Sequence, residues 1–143
     1  MLRETDLSQA NLRGTLLRRA ILVHANLREA NLQEADLKGA DLESADLYRA
    51  DLFKAILEDV DLQDTNLDQP DLRKAILIKA DLRGANLFRA RMQGADLSEA
   101  DFYRADLEKS DLSDANLYKA DLRESNLHGV NLEGANLQGA DLE

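Results

Sequence analysis

Leucine occupies every fifth position from Leu2 to Leu142 in a single phase, and only Met92 and Phe102 interrupt the run. A fixed period indicates that neighbouring copies stack and share one core. Neither regular element suits a period of five: an α-helix would rotate successive leucines off any one face, and a continuous strand would alternate them between two faces. The chain is therefore predicted to turn once per unit, with every leucine pointing at a common axis.

The residues around each leucine form a second pattern. Two positions before it (the small position) alanine occurs in 20 of 28 units, and the residue between the two (the outward position) is Asp in 14 units and Asn in nine. On a short extended segment the small residue and the leucine face inward and the outward residue faces solvent. All seven glycines fall two positions after the leucine (the corner position), where we expect a turn residue with positive φ, as in the third position of a type II turn.

The unit Ala-Asp/Asn-Leu-x-x, as in residues 35–39, resembles the repeat of the pentapeptide-repeat proteins, and the resemblance covers the whole chain. It implies an all-β fold, a right-handed quadrilateral parallel β-helix with four pentapeptides per coil. On that basis residues 1–143 are expected to form a single domain, a solenoid of about seven coils. Residues 20 apart would then lie one above another.

Composition narrows the function classes. The formal net charge of −10 argues against direct nucleic-acid binding. No segment is apolar enough to span a membrane, and the N-terminus lacks the apolar core of a signal peptide, so a cytoplasmic location is the default unless a leader was removed. There is no cysteine, no Ser/His/acid constellation, no Gly-rich phosphate loop and no His/Cys metal spacing. We expect neither an enzyme nor a cofactor.

Stacking at 20 residues predicts a column of six carboxylates: Asp41, Asp61, Asp81, Asp101, Asp121 and Asp141. They would repel one another unless solvent, cations or bases relieve them, and Lys79 and Lys119 are expected to offset part of the charge. Three interpretations stay open: an outward aspartate solvated or bonded to the local backbone, DNA mimicry by a line of negative charge, and binding of divalent cations by adjacent carboxylates.

A second candidate surface is apolar. Ile56 and Ile76 replace the usual outward Asp or Asn in adjacent coils, and Phe53 and Ile78 lie on the neighbouring segments. Together they form a candidate partner patch, and the alternative is a scattered set of tolerated exposed apolar residues.

Two irregular residues carry structural predictions. Arg91, the only base at an outward position, falls between Asp71 and Asp111 and is expected to form an ion pair across coils. Pro70 has no N–H and is expected to cost one bond of the ladder and to distort the chain locally.

The leading functional prediction is a non-enzymatic interaction scaffold that binds an unknown protein partner. The resemblance also suggests a cyanobacterial type of protein, because long uninterrupted members of the family are abundant in cyanobacteria. The alternative implied by the resemblance is a DNA-mimicking inhibitor or protector of DNA gyrase, of the quinolone-resistance type. The repeat runs to both ends, where strand edges and leucines would be exposed. This favours an end-to-end or face-to-face homodimer, an excerpt from a longer protein, or an idealised chain made to study the fold.

Overall fold

The computed structural model describes residues 1–143, and its backbone is a stack of 20-residue coils. Each β-strand is a single bridging residue at an outward position, from Asp6 to Asp141. Between bridges the chain turns at the two residues after each leucine, with a bend in place of the turn at residues 68 and 69. All 24 bridges are parallel and join outward residues 20 apart. No α-helix is present, and no helix is therefore available to cross a membrane. Four pentapeptides per coil give four faces, which we number one to four by their outward residues Asp41, Asp46, Asp51 and Ile56. The two-residue turn between neighbouring faces is called a corner.

The core lies on the axis of the stack and consists of the leucine and small positions. A cluster of 38 buried residues runs from Leu22 to Leu122, and Met92 and Phe102 take leucine positions in it with no exposed surface. Complete burial of a leucine contributes about 1.5–3 kcal/mol. The fold is therefore stabilised along its whole length by the same repeated contact.

Backbone hydrogen bonds use four of the five N–H groups of a typical unit. In one unit Leu72 donates to Arg91 (2.7 Å) and Lys74 to Gln93 (3.1 Å) in the next coil, and Ile76 donates to Ala55 (2.9 Å) in the previous coil. The N–H of the small residue closes the turn onto the preceding leucine, as in Ala75 to Leu72 (3.1 Å). The N–H of the residue directly after the leucine has no backbone partner.

The corner position confirms the prediction of positive φ. All 28 residues at the corner position, the second of each turn, have φ between 52° and 73°, and 21 of them are not glycine. Glycine is thus favoured but not required by the backbone there. At Gly84 glycine is favoured for a second reason, because a Cβ there would collide with the carboxylate of Asp64 in the previous coil.

The prediction for Pro70 was wrong in its detail. The bond that is missing is the turn bond within one unit, from position 70 to the carbonyl of Leu67, and not a bond between coils. The ladder on either side is intact, with Arg91 donating to Pro70 (3.1 Å) and Asp71 to Ala50 (3.0 Å). The corner residue Gln69 keeps a φ of 58°, so the expected distortion is confined to one lost hydrogen bond.

Candidate interaction surfaces

The outward Asp and Asn residues have a structural task. In every one of the 23 units that carry them, a side-chain oxygen accepts the N–H of the residue two positions later, as in Gln33 N–H to Asn31 Oδ1 at 3.1 Å. This N–H is the one that the backbone ladder leaves free. The interpretation of these residues as bonded to the local backbone is therefore confirmed, and the 14 outward aspartates follow from the fold.

The six carboxylates of the acidic column stack as expected, with parallel bridges from Asp41 through to Asp141. Two arginines relieve much of their repulsion. Arg83 donates to Asp81 and lies 3.7 Å from Asp101, and Arg123 makes the same pair of contacts with Asp121 and Asp141, again 3.7 Å from the latter. The hydrogen bond from Arg123 lowers the pKa of the Asp121 carboxyl. Only Asp41 and Asp61 have no cationic partner.

The bases expected to offset the column were the wrong ones. Lys79 lies 3.9 Å from Glu99, and the ammonium of Lys119 lies 5.1 Å from the ring centroid of Tyr118. Arginine two residues after an aspartate reaches back to it within one turn, whereas a lysine two residues before it sits at the corner and points along the stack. No group of three or more potential ligands is arranged to hold a metal ion.

Next to the column is a shallow open groove of about 330 Å³, lined by Arg83, Asp101, Tyr103, Arg123, Glu124 and Glu143. The Tyr103 hydroxyl donates to Glu124 at 2.9 Å, and this bond raises the pKa of the phenol. Both arginines, Asp101 and Glu124 are paired with oppositely charged groups, so Glu143 is the one charged side chain of the groove without a partner.

The apolar patch residues lie on the fourth face and its two corners. Ile56 and Ile76 are bridged to each other across adjacent coils, and Ile76 is 36 % exposed. Ile56 is half-buried, as are Phe53, on the corner before it, and Ile78, on the corner after Ile76. The four residues thus form a diagonal across one face at mid-rod.

At Ile56 and Ile76 the local turn bond is absent. The N–H groups of Glu58 and Ile78 have neither a backbone nor a side-chain acceptor, whereas every outward Asp or Asn supplies one. The substitution of isoleucine therefore sacrifices a hydrogen bond of the repeat in two consecutive coils.

The expected ion pair of Arg91 across coils is confirmed, and its partner is Asp71. Its guanidinium lies 3.2 Å from Asp71, which is also paired with Arg73 at 2.6 Å. Asp111, on the other side, accepts instead from the amide of Gln93 at 2.7 Å. Burial raises the pKa of the Asp71 carboxyl, but the hydrogen bonds from Arg73 and the charges of Arg73 and Arg91 outweigh this and hold the pKa below its ordinary value.

A basic ridge was missed by the sequence reasoning. It consists of Lys54, Arg73 and Lys74 on the corner between the third and fourth faces, beside the apolar patch. Lys54 and Arg73 lie over the Phe53 ring, 5.2 and 5.5 Å from its centroid. Neither lysine has a carboxylate within 4.0 Å; among the bases only Arg3, Arg19, Arg49, Arg89 and Lys119 share this. Applying the 20-residue spacing to the corners would have revealed it.

Comparison with known proteins finds a matching family and several similar structures. The family model for pentapeptide repeats matches in eight copies over residues 2–33, 30–69, 71–104 and 100–139. HetL, a pentapeptide repeat protein involved in heterocyst differentiation regulation from the cyanobacterium Nostoc sp. strain PCC 7120, is 33 % identical, with 99 % of this chain and 86 % of HetL covered and a TM-score of 0.49.

Two further solved structures are similar. QnrB1, a plasmid-mediated fluoroquinolone resistance protein, is 24 % identical in one of its trypsin-treated forms, with 94 % of this chain and 78 % of QnrB1 covered and a TM-score of 0.46. Rfr23, a pentapeptide repeat protein from the cyanobacterium Cyanothece 51142, is 31 % identical, with 82 % of this chain and 64 % of Rfr23 covered and a TM-score of 0.34. No sequence among curated proteins matches.

The repeat unit, the 20-residue coil and the family match over nearly all of the chain agree. The chain belongs to the pentapeptide-repeat family and folds as its right-handed quadrilateral β-helix.

Proposed function

We propose that this protein is a non-enzymatic interaction scaffold and that the apolar patch of Phe53, Ile56, Ile76 and Ile78 binds its protein partner. The observation that carries the proposal is the adjacent pair Ile56 and Ile76, which stack in outward positions and leave two turn N–H groups without acceptors. An isolated exposed apolar residue is ordinary on a protein surface. Two that stack at the expense of the repeat's own hydrogen bond favour a selected contact surface.

The core of the rod leaves little room for catalysis. Leucine and alanine fill the axis, and the one groove at the surface is shallow, with Glu143 as its single unpaired charged side chain. Catalysis requires convergent groups in a concave site. His24 and His128 lie at different corners and about five coils apart, so they do not act together. The flat faces of the rod are suited to binding a partner.

The test is affinity capture from an extract of the source organism, quantified by mass spectrometry, with wild type and two variants. Ile56→Asn with Ile76→Asn restores the family's outward residue, and both asparagines can accept the local N–H, so the fold should be retained. Ile21→Asn is the matched control, because it makes the same change on the first face. The partner should be lost with the double variant and kept with the control. Identical capture by all three proteins would contradict the proposal.

Inhibition or protection of DNA gyrase is the second candidate. The unbroken stack of six carboxylates on the first face favours it, and the guanidinium groups beside four of them oppose it. A supercoiling assay with and without a quinolone separates the two functions. Inhibition or drug protection at low micromolar protein, lost on Asp81→Asn with Asp101→Asn, would replace the scaffold proposal. We expect that this protein, even in high excess over gyrase, changes neither supercoiling nor its inhibition by the quinolone.

A further inference from the structure

Charge is segregated around the middle of the rod. Between residues 41 and 100 the first face and its two corners carry Glu58, Asp59, Glu99, Asp41, Asp61, Asp81, Glu43 and Asp64 against Lys79 and Arg83. The third face and its corners carry Arg49, Lys54, Arg73, Lys74, Arg89 and Arg91 against Asp51, Asp68 and Asp71. The two faces are on opposite sides of the coil. A chain that is acidic overall therefore has one net basic side.

Several bases on this side have no acidic partner within the protein. Lys54 and Lys74 stack on one corner of the third face, and Arg49 and Arg89 lie on its other corner, all without a carboxylate within 4.0 Å. Arg73 and Arg91 share the single carboxylate of Asp71. The side chains of the four residues at corner positions, Arg49, Lys54, Lys74 and Arg89, are exposed. Their charges are therefore free to meet carboxylates from outside.

The basic ridge borders the apolar patch directly. Lys54 follows Phe53 and precedes Ile56 by two residues, and Lys74 precedes Ile76 by two residues in the next coil. Each outward isoleucine is thus preceded at the corner by a lysine that has no carboxylate partner, and the pair is repeated at the spacing of one coil, about 5 Å. The arrangement has two matched rows, one apolar and one cationic.

We propose that the apolar patch and the basic ridge together bind an acidic protein segment, in which apolar side chains cover Ile56 and Ile76 and carboxylates pair with Lys54 and Lys74. This inference rests on the proposed function and names its partner class. Charge complementarity selects the occupant: the ridge is cationic, and the rest of the protein repels nucleic acid through its net charge of −10. A segment with both acidic and apolar residues satisfies both rows at once.

The experiment is selection of random dodecapeptides displayed on phage against the full chain. The strongest recovered peptide is then labelled, and its affinity is measured by fluorescence polarisation. Recovered sequences should combine Asp or Glu with large apolar residues. Lys54→Gln with Lys74→Gln should weaken binding by about two- to thirtyfold, since each of the two exposed ion pairs contributes about 0.2–1 kcal/mol. Binding should also weaken as salt is raised.

The control variant is Arg19→Gln with Lys119→Gln. These two residues occupy corner positions with φ of 55° and 56°, close to the 58° of Lys54 and Lys74, and they also lack a carboxylate partner. Glutamine fits this conformation, because Gln9 and Gln69 adopt φ of 58° at corners. The control removes the same charge from a different corner and should leave peptide affinity unchanged.

The outcomes separate this inference from the proposed function. Recovered peptides without acidic residues, whose binding falls with Ile56→Asn and Ile76→Asn but not with the lysine variant, would overturn the acidic partner and leave the patch in place. Peptides insensitive to both variants would overturn both. Duplex DNA or anionic vesicles that bind through the lysines but not the isoleucines would assign the ridge to another ligand and also overturn the inference.

Discussion

Replacement of Asn31 by alanine tests the role of the outward position most cleanly. The only hydrogen bond of this side chain is the one that Oδ1 accepts from Gln33 N–H at 3.1 Å. No backbone acceptor competes for that N–H. The substitution therefore removes one bond and nothing else of the repeat.

The expected loss follows from the value of one hydrogen bond. A typical intramolecular bond contributes about 0.5–1.5 kcal/mol net. With a urea dependence of about 2 kcal/mol per molar, the midpoint of unfolding should fall by roughly 0.5 M. Asn31→Asp keeps an acceptor at the same place, and at high salt, which screens its repulsion from Asp51 in the next coil, it should leave the midpoint within about 0.2 M of wild type.

The assay is urea unfolding followed by circular dichroism, with all three proteins at one pH and salt concentration. An unchanged midpoint for Asn31→Ala would refute the reasoning, because the turn N–H would then be satisfied equally well by water. An equal loss for Asn31→Asp would also refute it, since the amide would matter for something other than its acceptor oxygen.

Three further substitutions address the core, the buried charge and the irregular turn. Leu72→Ala should reduce the free energy of unfolding by about 2–5 kcal/mol and Leu72→Met by less than about 1.5 kcal/mol, because position 72 has no exposed surface; equal losses would contradict close packing. Asp36 accepts from Arg18 at 2.6 Å, which lowers the pKa of its carboxyl. The stabilisation is present above the unfolded pKa of about 4 and lost as pH falls through the folded value, so urea midpoints of Asp36→Asn should depend less on pH between about 6 and 3, and parallel curves would exclude this. Pro70→Ala should change stability by less than about 0.5 kcal/mol, since the regained turn bond offsets the greater freedom of the unfolded chain; a calorimetric scan that shows a large shift would contradict the assignment of the missing bond.

The period of five was enough to predict the coil, the core and the stacking of residues 20 apart, because all three follow from where the chain must turn. It was also enough to predict positive φ at the corners from the glycines alone. Ion pairs were harder. Long side chains reach several carboxylates, and the choice of Arg83 over Lys79 beside the acidic column depends on which way the chain turns at the corner.

The outward residue is needed as an acceptor for the turn N–H, and its charge is therefore a poor guide to function. Aspartate at the outward position suggests a charged surface, yet asparagine performs the same task in nine units. The informative residues are the departures from this rule. Ile56 and Ile76 were visible in the sequence, but the loss of two acceptors that accompanies them required the backbone bonds to be traced.

The central claim is that recognition belongs to the patch and its ridge, whereas the acidic column belongs to the fold. Polarisation with the selected peptide tests this by comparing two variants: Ile56→Asn with Ile76→Asn, and Asp41→Asn with Asp61→Asn and Asp101→Asn. We predict that the first abolishes binding and that the second, which keeps every turn acceptor, binds like wild type. Loss of binding in the aspartate variant alone would contradict the account and assign recognition to the column.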